Sequence, residues 1–447
     1  MQQTPLPSEP LAGRAQARTA TGDFIYVACP WSAAGGGMYK VGDYLLQAQA
    51  GQPAANAAQL LPLETRGPGQ AVQTLWMLPR ALGRIAQGRL SGRLAGVHVN
   101  MAERLSLLRK GVVVCACRAL GVPVVVHLHA QMKSFYRSLP SPLRAATRWM
   151  FSLADAVVVI GASARRFAID ELGVRPQRVD IVFNGVPGPA SAPAARPRGE
   201  VMKALFVGRM TDLKGVSDLL RALAQPGLER SRLELVFAGS GELPRYQALA
   251  RELGVQERVR FEGWCEQDRV IELLREADLL VLPSHDEVLP LVVLEALAWR
   301  VPVLCTPVGE LAEVLSDGED ARFTPVGDPA ALASALQWFL DHPQEAQALA
   351  QRGRALYERQ FSVARFFTSI ARVHQRHFRT CARLPAGAAP AAAARSAASA
   401  VPVVGTVTAA PAEAPASAAA SATVIELPAA TPPVQAPAAD AALRKLP

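Results

Sequence analysis

Five apolar segments, each followed by a helical pattern, run through the second half of this 447-residue chain. They contain Ala204, Leu233, Val259, Leu279 and Val301. Apolar strands that alternate with helices are typical of a parallel sheet covered on both faces. Open sheets of this class bind ligands beyond the carboxyl ends of their strands. The sequence therefore predicts an α/β domain over residues 200–359 with a ligand site at one edge.

Two carboxylates, Glu287 and Glu295, stand eight positions apart after the fourth of these segments. The strand is expected to end at Pro283, and Pro290 suits the first turn of the next helix. Glu287 is therefore predicted in the loop after the strand, and Glu295 about one and a half turns into the helix. One carboxylate can face a sugar and the other a ribose.

Two cations are predicted at the carboxyl end of the first strand of this half. Gly208 turns the chain there, Arg209 and Lys214 follow, and a helix is expected from Val216 to Leu223. Two fixed cations at this place can neutralise a diphosphate, whose departure as a leaving group builds negative charge.

The first half carries two further signals. An apolar strand over residues 24–30 precedes Gly35, Gly36 and Gly37, which are predicted to form a short loop whose N–H groups can approach phosphate oxygens. Their spacing differs from the glycine fingerprint of dinucleotide binders. A second strand, over residues 121–130, contains His127 and His129, which share one face of an extended chain.

These motifs resemble those of retaining glycosyltransferases of family 4, which have the GT-B fold. The resemblance rests on the E-x7-E spacing of Glu287 and Glu295, the G-R-x4-K-G pattern that starts at Gly208, the glycine loop and the histidine strand. It implies an α/β protein with two Rossmann-like doubly wound domains facing a central cleft. Smaller segments agree, among them the glycine turn at Gly239.

By this resemblance, a set of residues is expected to bind the nucleotide-diphosphate sugar: Gly36, Gly37, Arg209, Lys214, Gly239, Leu289 and Glu295. A second set is expected to act in catalysis: His129, Arg209, Lys214 and Glu287. His127 stays open as an alternative to His129. The chain lacks the D-x-D pattern of the other large glycosyltransferase fold, so no metal or cofactor is expected and the two cations would replace the metal.

Two residues depart from the family pattern. Val288 stands where the family usually has glycine, and Glu310 where it often has a second glycine. Both lie in loops expected to approach the donor sugar, so bulkier side chains there are expected to reshape the sugar pocket.

Composition predicts the remaining organisation. Residues 1–22 are expected to form a loose leader and residues 189–199 a hinge. The resemblance implies that residues 23–188 form the acceptor domain, 200–359 the donor domain and 360–383 a helix that crosses back to the first domain. Residues 384–447 are rich in Ala and Pro and are expected to be disordered. The six cysteines show no metal-ligand spacing and are expected to be reduced thiols. Arg118 interrupts the longest apolar stretch, and the first residues lack the apolar core of a signal peptide.

The two halves of the chain differ in net charge. Residues 1–199 hold 22 Lys and Arg against 9 Asp and Glu, whereas residues 200–447 hold 25 against 29. Basic patches with aromatic neighbours fit an anionic membrane surface. They comprise Arg80, Arg84, Arg89, Arg93, Lys133, Phe135, Tyr136, Arg137, Arg144, Arg148, Trp149 and Met150. The alternative is that these arginines are only solvated residues on exposed faces of the protein. The sequence indicates no nucleic-acid-binding fold.

The prediction is a retaining glycosyltransferase that moves a sugar from a nucleotide-sugar to a hydroxyl acceptor. The acceptor is expected to be a lipid-linked saccharide in bacterial surface polysaccharide assembly, which implies a cytoplasmic enzyme at the inner face of the plasma membrane. A soluble-acceptor enzyme of the same fold and a non-catalytic nucleotide-sugar-binding subunit are the alternatives. Sugar-phosphate epimerases of this fold are disfavoured, because they lack the Gly-Arg, Lys-Gly and E-x7-E combination.

Overall fold

The computed structural model describes residues 23–31, 36–50, 58–67, 71–130, 132–194, 199–228 and 231–378. The predicted leader over residues 1–22 and the predicted disordered tail over residues 384–447 lie outside these residues. The described residues form two α/β domains, each built on its own parallel sheet.

The first domain contains a parallel sheet of six strands: β1 (Phe24–Cys29), β2 (Gln59–Glu64), β3 (Leu94–Met101), β4 (Val124–Leu128), β5 (Ala156–Val159) and β6 (Val179–Ile181). Its strand order is β2-β1-β3-β4-β5-β6. The helices between these strands are α1 (Gly36–Ala50), α2 (Ala71–Leu90), α3 (Leu105–Ala119), α4 (Met132–Ser138), α5 (Ser141–Ser152) and α6 (Ala162–Asp170).

The second domain repeats the plan with β7 (Met202–Val207), β8 (Leu233–Ala238), β9 (Val259–Gly263), β10 (Leu279–Leu282), β11 (Val303–Cys305) and β12 (Arg322–Phe323). Its strand order is β12-β11-β10-β7-β8-β9. The helices are α7 (Val216–Leu223), α8 (Leu243–Glu252), α9 (Gln267–Glu276), α10 (Leu291–Ala298), α11 (Leu311–Val314), α12 (Pro329–Asp341), α13 (Pro343–Leu356) and α14 (Val363–Phe378).

Strands β4, β5, β10 and β11 are apolar apart from His127 of β4, because helices cover both faces of each sheet. Every residue of β4, β5, β10 and β11 is buried. The order of each sheet reverses direction beside its first strand, which is the doubly wound arrangement. The predicted fold class is therefore confirmed.

The last helix of the described residues, α14, returns from the second domain to the first. Phe366, Phe367 and Ile370 pack in one apolar cluster with Ile25 and Val27 of β1. At its end, the ring of Phe378 lies over Gly96 of β3, where an added Cβ would come within 2.6 Å of the ring. A glycine inside a strand is explained here by close packing.

Two sequence predictions need correction. Gly36 and Gly37 lie in the first turn of α1, whereas a loop was expected. Tyr136 and Met150, counted in the patches expected at a membrane surface, are both buried, and Tyr136 donates a hydrogen bond to the Glu171 carbonyl over 3.2 Å. Among the described helices, none is both long and apolar enough to span a membrane.

Candidate active site

The loops that carry Lys214 and Glu287 meet at the carboxyl ends of the neighbouring strands β7 and β10. Lys214 Nζ forms an ion pair with Glu287 Oε1, and Ser284 Oγ donates a hydrogen bond to the same oxygen over 3.1 Å. Only 25% of the Lys214 side chain and 10% of the Glu287 side chain are exposed. Their interaction is therefore screened less by water than that of a surface pair. The predicted diphosphate and sugar residues thus share one place in the structure.

Gly215 makes this close approach possible. Its φ of 72° lies in the left-handed region that favours glycine, and an added Cβ would lie 2.0 Å from the Pro283 carbonyl oxygen. His285 N–H also donates a hydrogen bond to the Leu213 carbonyl over 2.8 Å. The glycine that follows Lys214 is therefore required for the packing of the two loops.

Arg209 and Gly239 lie at the ends of β7 and β8. Arg209 is exposed. Gly239 packs so closely that an added Cβ would lie 1.9 Å from the Gly208 carbonyl oxygen. The glycine turn after β8 thus supports the loop from which Arg209 projects.

Glu295 lies within α10 and is only 3% exposed. Gln267 Nε2 donates a hydrogen bond to Glu295 Oε1 over 3.0 Å, and Lys40 Nζ of the first domain lies 3.8 Å from the same oxygen. Burial is the main cause that raises the pKa of the Tyr44 hydroxyl, and the nearby negative charge of Glu295 raises this pKa further. The sequence motifs did not point to Lys40 and Tyr44, which reach Glu295 from α1 across the domain boundary.

Three further residues, Gly36, Gly37 and Leu289, were predicted to bind the donor. Gly36 begins α1 with a φ of 58°. Gly37 faces the second domain, since an added Cβ would lie 3.7 Å from Leu291 Cδ1. The Leu289 side chain packs in the core of the second domain and is 4% exposed, so its backbone is the part left to face a ligand.

His129 belongs to a cluster of four histidines in the first domain. Its Nε2 lies 2.7 Å from Asn100 Oδ1, and its ring lies 4.0 Å from that of His127. His98 Nε2 contacts His127 Nδ1 at 3.2 Å, and His98 Nδ1 contacts His374 Nε2 of α14 at 2.9 Å. In the part of the chain that the structure describes, no three His, Cys, Asp or Glu side chains are arranged to hold a metal ion, and metal independence stays a prediction.

The histidine cluster should make stability sensitive to acid. Burial lowers the pKa of His98 to about 4 and of His129 to about 3, and lowers the pKa values of His127 and His374 well below 6.5. The unfolded chain therefore binds more protons than the folded protein between pH 6.5 and about 4, so stability should be lost as pH falls through this window. Thermal melts between pH 7.5 and 4.5 measure the effect.

A matched pair of variants separates this cluster from other acid-sensitive groups. His374→Gln removes one buried titrating group and should flatten the dependence of melting temperature on pH. His342→Gln, made in the second domain outside the cluster, is the matched comparison. If the melting temperature depended on pH to the same degree in both variants, the histidine cluster would not be the source of the acid sensitivity.

The two departures from the family pattern have different surroundings. Val288 packs partly buried against the core of the second domain. The Glu310 side chain is buried and points to the first domain, where its carboxylate accepts hydrogen bonds from the backbone N–H groups of Ser163 and Ala164. That both side chains reshape a sugar pocket stays a prediction, and the Glu310 carboxylate has a partner in the first domain that the sequence did not suggest.

Comparison with known proteins agrees with this architecture. Residues 193–356 match the model of the glycosyl transferases group 1, and residues 55–187 match that of glycosyltransferase family 4. The Anabaena HepE structure in complex with UDP and glucose aligns with a TM-score of 0.61 and 16% identity, over 78% of this chain and 98% of that one.

Curated relatives are found at higher identity. A D-inositol 3-phosphate glycosyltransferase of Acidothermus cellulolyticus is 33% identical over 273 residues, which cover 55% of this chain and 60% of the relative. The chain therefore spans less than two thirds of that relative's length. D-inositol 3-phosphate glycosyltransferase 1 of Catenulispora acidiphila is 32% identical over 301 residues, or 61% of this chain and 70% of the relative. The chain belongs to the GT-B glycosyltransferases of group 1 and family 4.

Proposed function

We propose that this protein is a retaining glycosyltransferase that moves a sugar from a nucleotide-diphosphate sugar to a hydroxyl acceptor. The observation that carries the proposal is the Lys214 and Glu287 pair at the carboxyl ends of β7 and β10. Parallel sheets bind their ligands at this edge, and Arg209 projects from the same loop as Lys214. The name of the relative, a D-inositol 3-phosphate glycosyltransferase, favours glycosyl transfer, and the UDP bound to HepE favours a nucleotide-sugar donor.

In the proposed reaction, the bond between the anomeric carbon and the diphosphate oxygen breaks, and a bond to the acceptor oxygen forms on the same face of the sugar. The acceptor hydroxyl gives its proton to the departing diphosphate oxygen, and the nucleoside diphosphate leaves with it. Arg209 and Lys214 stabilise the charge that develops on the leaving group. They do so as fixed cations, so no metal is required in this proposal.

The carboxylates and His129 have separate roles in the proposal. Glu295 binds the ribose, and Glu287 accepts hydrogen bonds from sugar hydroxyls while Lys214 turns to the diphosphate. Because burial lowers the pKa of His129 to about 3, its imidazole is neutral near pH 7. If Nε2 donates to Asn100 Oδ1, Nδ1 is left to accept a hydrogen bond from the donor sugar.

The test is a panel of nucleotide-sugars incubated with the purified protein while nucleoside diphosphate release is followed. Release that depends on one donor supports the enzyme and names that donor. Binding without release by any donor, with or without acceptors, would favour the non-catalytic subunit. No binding of any nucleotide or nucleotide-sugar would refute the proposal.

We further propose a lipid-linked saccharide acceptor at an anionic membrane surface. The positive charge of residues 1–199 supports it. The described surface adds an apolar stripe on α3, where Leu105, Leu108 and Val112 are 66%, 65% and 44% exposed. Trp149 on α5 is also exposed. The relatives' names favour a soluble acceptor instead, D-inositol 3-phosphate, and that reading remains the alternative.

Liposome flotation distinguishes the two acceptors. The protein should float with anionic vesicles in preference to neutral ones, and about 1 M salt should release most of it because the Debye length falls to about 3 Å. Arg144→Glu with Arg148→Glu should abolish this preference. The same charge change at Arg221 and Arg251, exposed in the second domain, should retain it. Equal flotation with neutral and anionic vesicles would leave the soluble acceptor as the better proposal.

A further inference from the structure

Helix α6 of the first domain begins without a capping side chain of its own. Its N-cap residue is Gly161, and no local side chain accepts a hydrogen bond from the first turn. The N–H groups of this turn have no partner within the helix, and an oxygen acceptor at the N-cap is the usual solution.

The missing cap is supplied by Glu310 of the second domain. Its Oε1 accepts a hydrogen bond from Ala164 N–H over 2.9 Å, and its Oε2 accepts one from Ser163 N–H over 3.2 Å. Glu310 is 3% exposed. A carboxylate at a helix N-terminus also interacts favourably with the helix dipole. These two N–H groups therefore help to hold the Glu310 charge in a buried place.

The backbone of Glu310 is tied to the loop that carries Glu287. Glu310 N–H donates a hydrogen bond to the Val288 carbonyl over 2.8 Å. Gly309, with a φ of 62°, approaches so closely that an added Cβ would lie 2.0 Å from the Glu287 carbonyl oxygen. A chain of contacts thus runs from α6, through Glu310 and the backbone of Val288, to Glu287.

A second contact between the domains lies beside this one. Arg166 Nη2 of α6 is 2.5 Å from Glu313 Oε1, but 63% of the arginine side chain and 30% of the glutamate side chain are exposed. Exposed ion pairs contribute little to stability. The buried Glu310 contact should therefore contribute more than the Arg166 pair to holding the domains together.

We propose that Glu310 is a positioning residue that caps α6 when the two domains are closed and thereby couples domain closure to the placement of Glu287. The proposal rests on the proposed transferase function, because Glu287 matters there as a donor-sugar residue. Closure excludes water from such a site. Loss of the cap should therefore raise hydrolysis of the donor relative to transfer of its sugar.

Gly161 offers a variant that breaks the same contact from the other domain. Its φ of −170° is extended backbone, which alanine adopts without strain. A Cβ there would nevertheless lie 2.1 Å from Glu310 Oε2. Gly161→Ala and Glu310→Ala should each shift the products toward hydrolysis. In the double variant the clash is absent, so its defect should equal that of Glu310→Ala alone.

Hydrogen exchange gives a readout that needs no activity. In Glu310→Ala, the peptide that contains Ser163 and Ala164 should exchange about tenfold faster, on the scale expected for the loss of a cap. Glu310→Gln keeps one acceptor oxygen and should restore part of the protection and part of the product ratio. Glu313→Ala, which removes only the exposed pair, should have a smaller effect on both.

The outcomes are distinguishable. Unchanged exchange at residues 163–164 in Glu310→Ala would overturn the proposal, as would defects of Gly161→Ala and Glu310→Ala that add in the double variant. If the unmodified protein turned over no donor, the proposed function would fail. The exchange experiment would still decide whether Glu310 caps α6.

Discussion

Replacing Lys214 with alanine is expected to lower the turnover of the nucleotide-sugar by about two orders of magnitude or more. The loss of one fixed charge that stabilises a developing negative charge costs about 3 kcal/mol. The structure adds a second reason: without Lys214, the largely shielded Glu287 carboxylate loses its ion-pair partner. Without the Lys214 charge beside it, this carboxylate would repel the donor diphosphate more strongly.

The prediction is checked by steady-state kinetics beside thermal melts. Arg209→Ala should show a similar loss, and Lys214→Arg should retain part of the activity because it keeps the charge. Leu213→Ala, at an exposed neighbouring position, is the matched control and should be nearly normal. Near-normal turnover in both Arg209→Ala and Lys214→Ala would exclude the cations from the mechanism, as would a loss explained only by unfolding.

Glu295→Gln is expected to weaken nucleoside diphosphate binding by about one to two orders of magnitude, on the scale of a hydrogen bond to a charged group. Glu287→Gln should instead spare this binding and lower the rate of sugar transfer. Calorimetric titration of the nucleoside diphosphate measures the first effect, and single-turnover transfer measures the second.

The structure shows why a further control is needed. Glu295 lies 3.8 Å from Lys40 of the first domain, so its replacement could weaken binding by loosening the contact between the domains. Lys40→Met removes that ion pair and keeps the carboxylate. If Lys40→Met lost as much affinity as Glu295→Gln, the ribose assignment would have to be replaced by a role in the contact. If Glu295→Gln bound the nucleoside diphosphate with unchanged affinity, both the ribose assignment and the role in the domain contact would be refuted.

Several features of the site could be predicted because they depend on short stretches of sequence. The helix expected from Val216 to Leu223 has the same bounds in the structure. Lys214 and Glu287 were expected near the carboxyl ends of two strands, and both lie there because parallel strands expose these ends at one edge of the sheet. The nature of the acceptor and the roles of these residues stay predictions.

Other features could not be predicted because they depend on contacts between distant residues. Glu310 and Ala164 are 146 positions apart, and His98 and His374 are 276 positions apart. No local pattern specifies which helix of one domain will face which loop of the other. The burial of individual side chains could not be predicted either. Tyr136 and Trp149 were both expected at a membrane surface, but Tyr136 packs inside the first domain and Trp149 is exposed.

The sequence by itself determined the class of fold and the strand ends at which the charged residues appear, because hydrophobic periodicity and glycine positions act over a few residues. Only the tertiary structure decided the partners of these residues. Lys40 approaches Glu295 and Glu310 caps α6 because the two domains are packed against each other. That packing depends on the shape and charge of two complete surfaces, which no single segment of the chain contains.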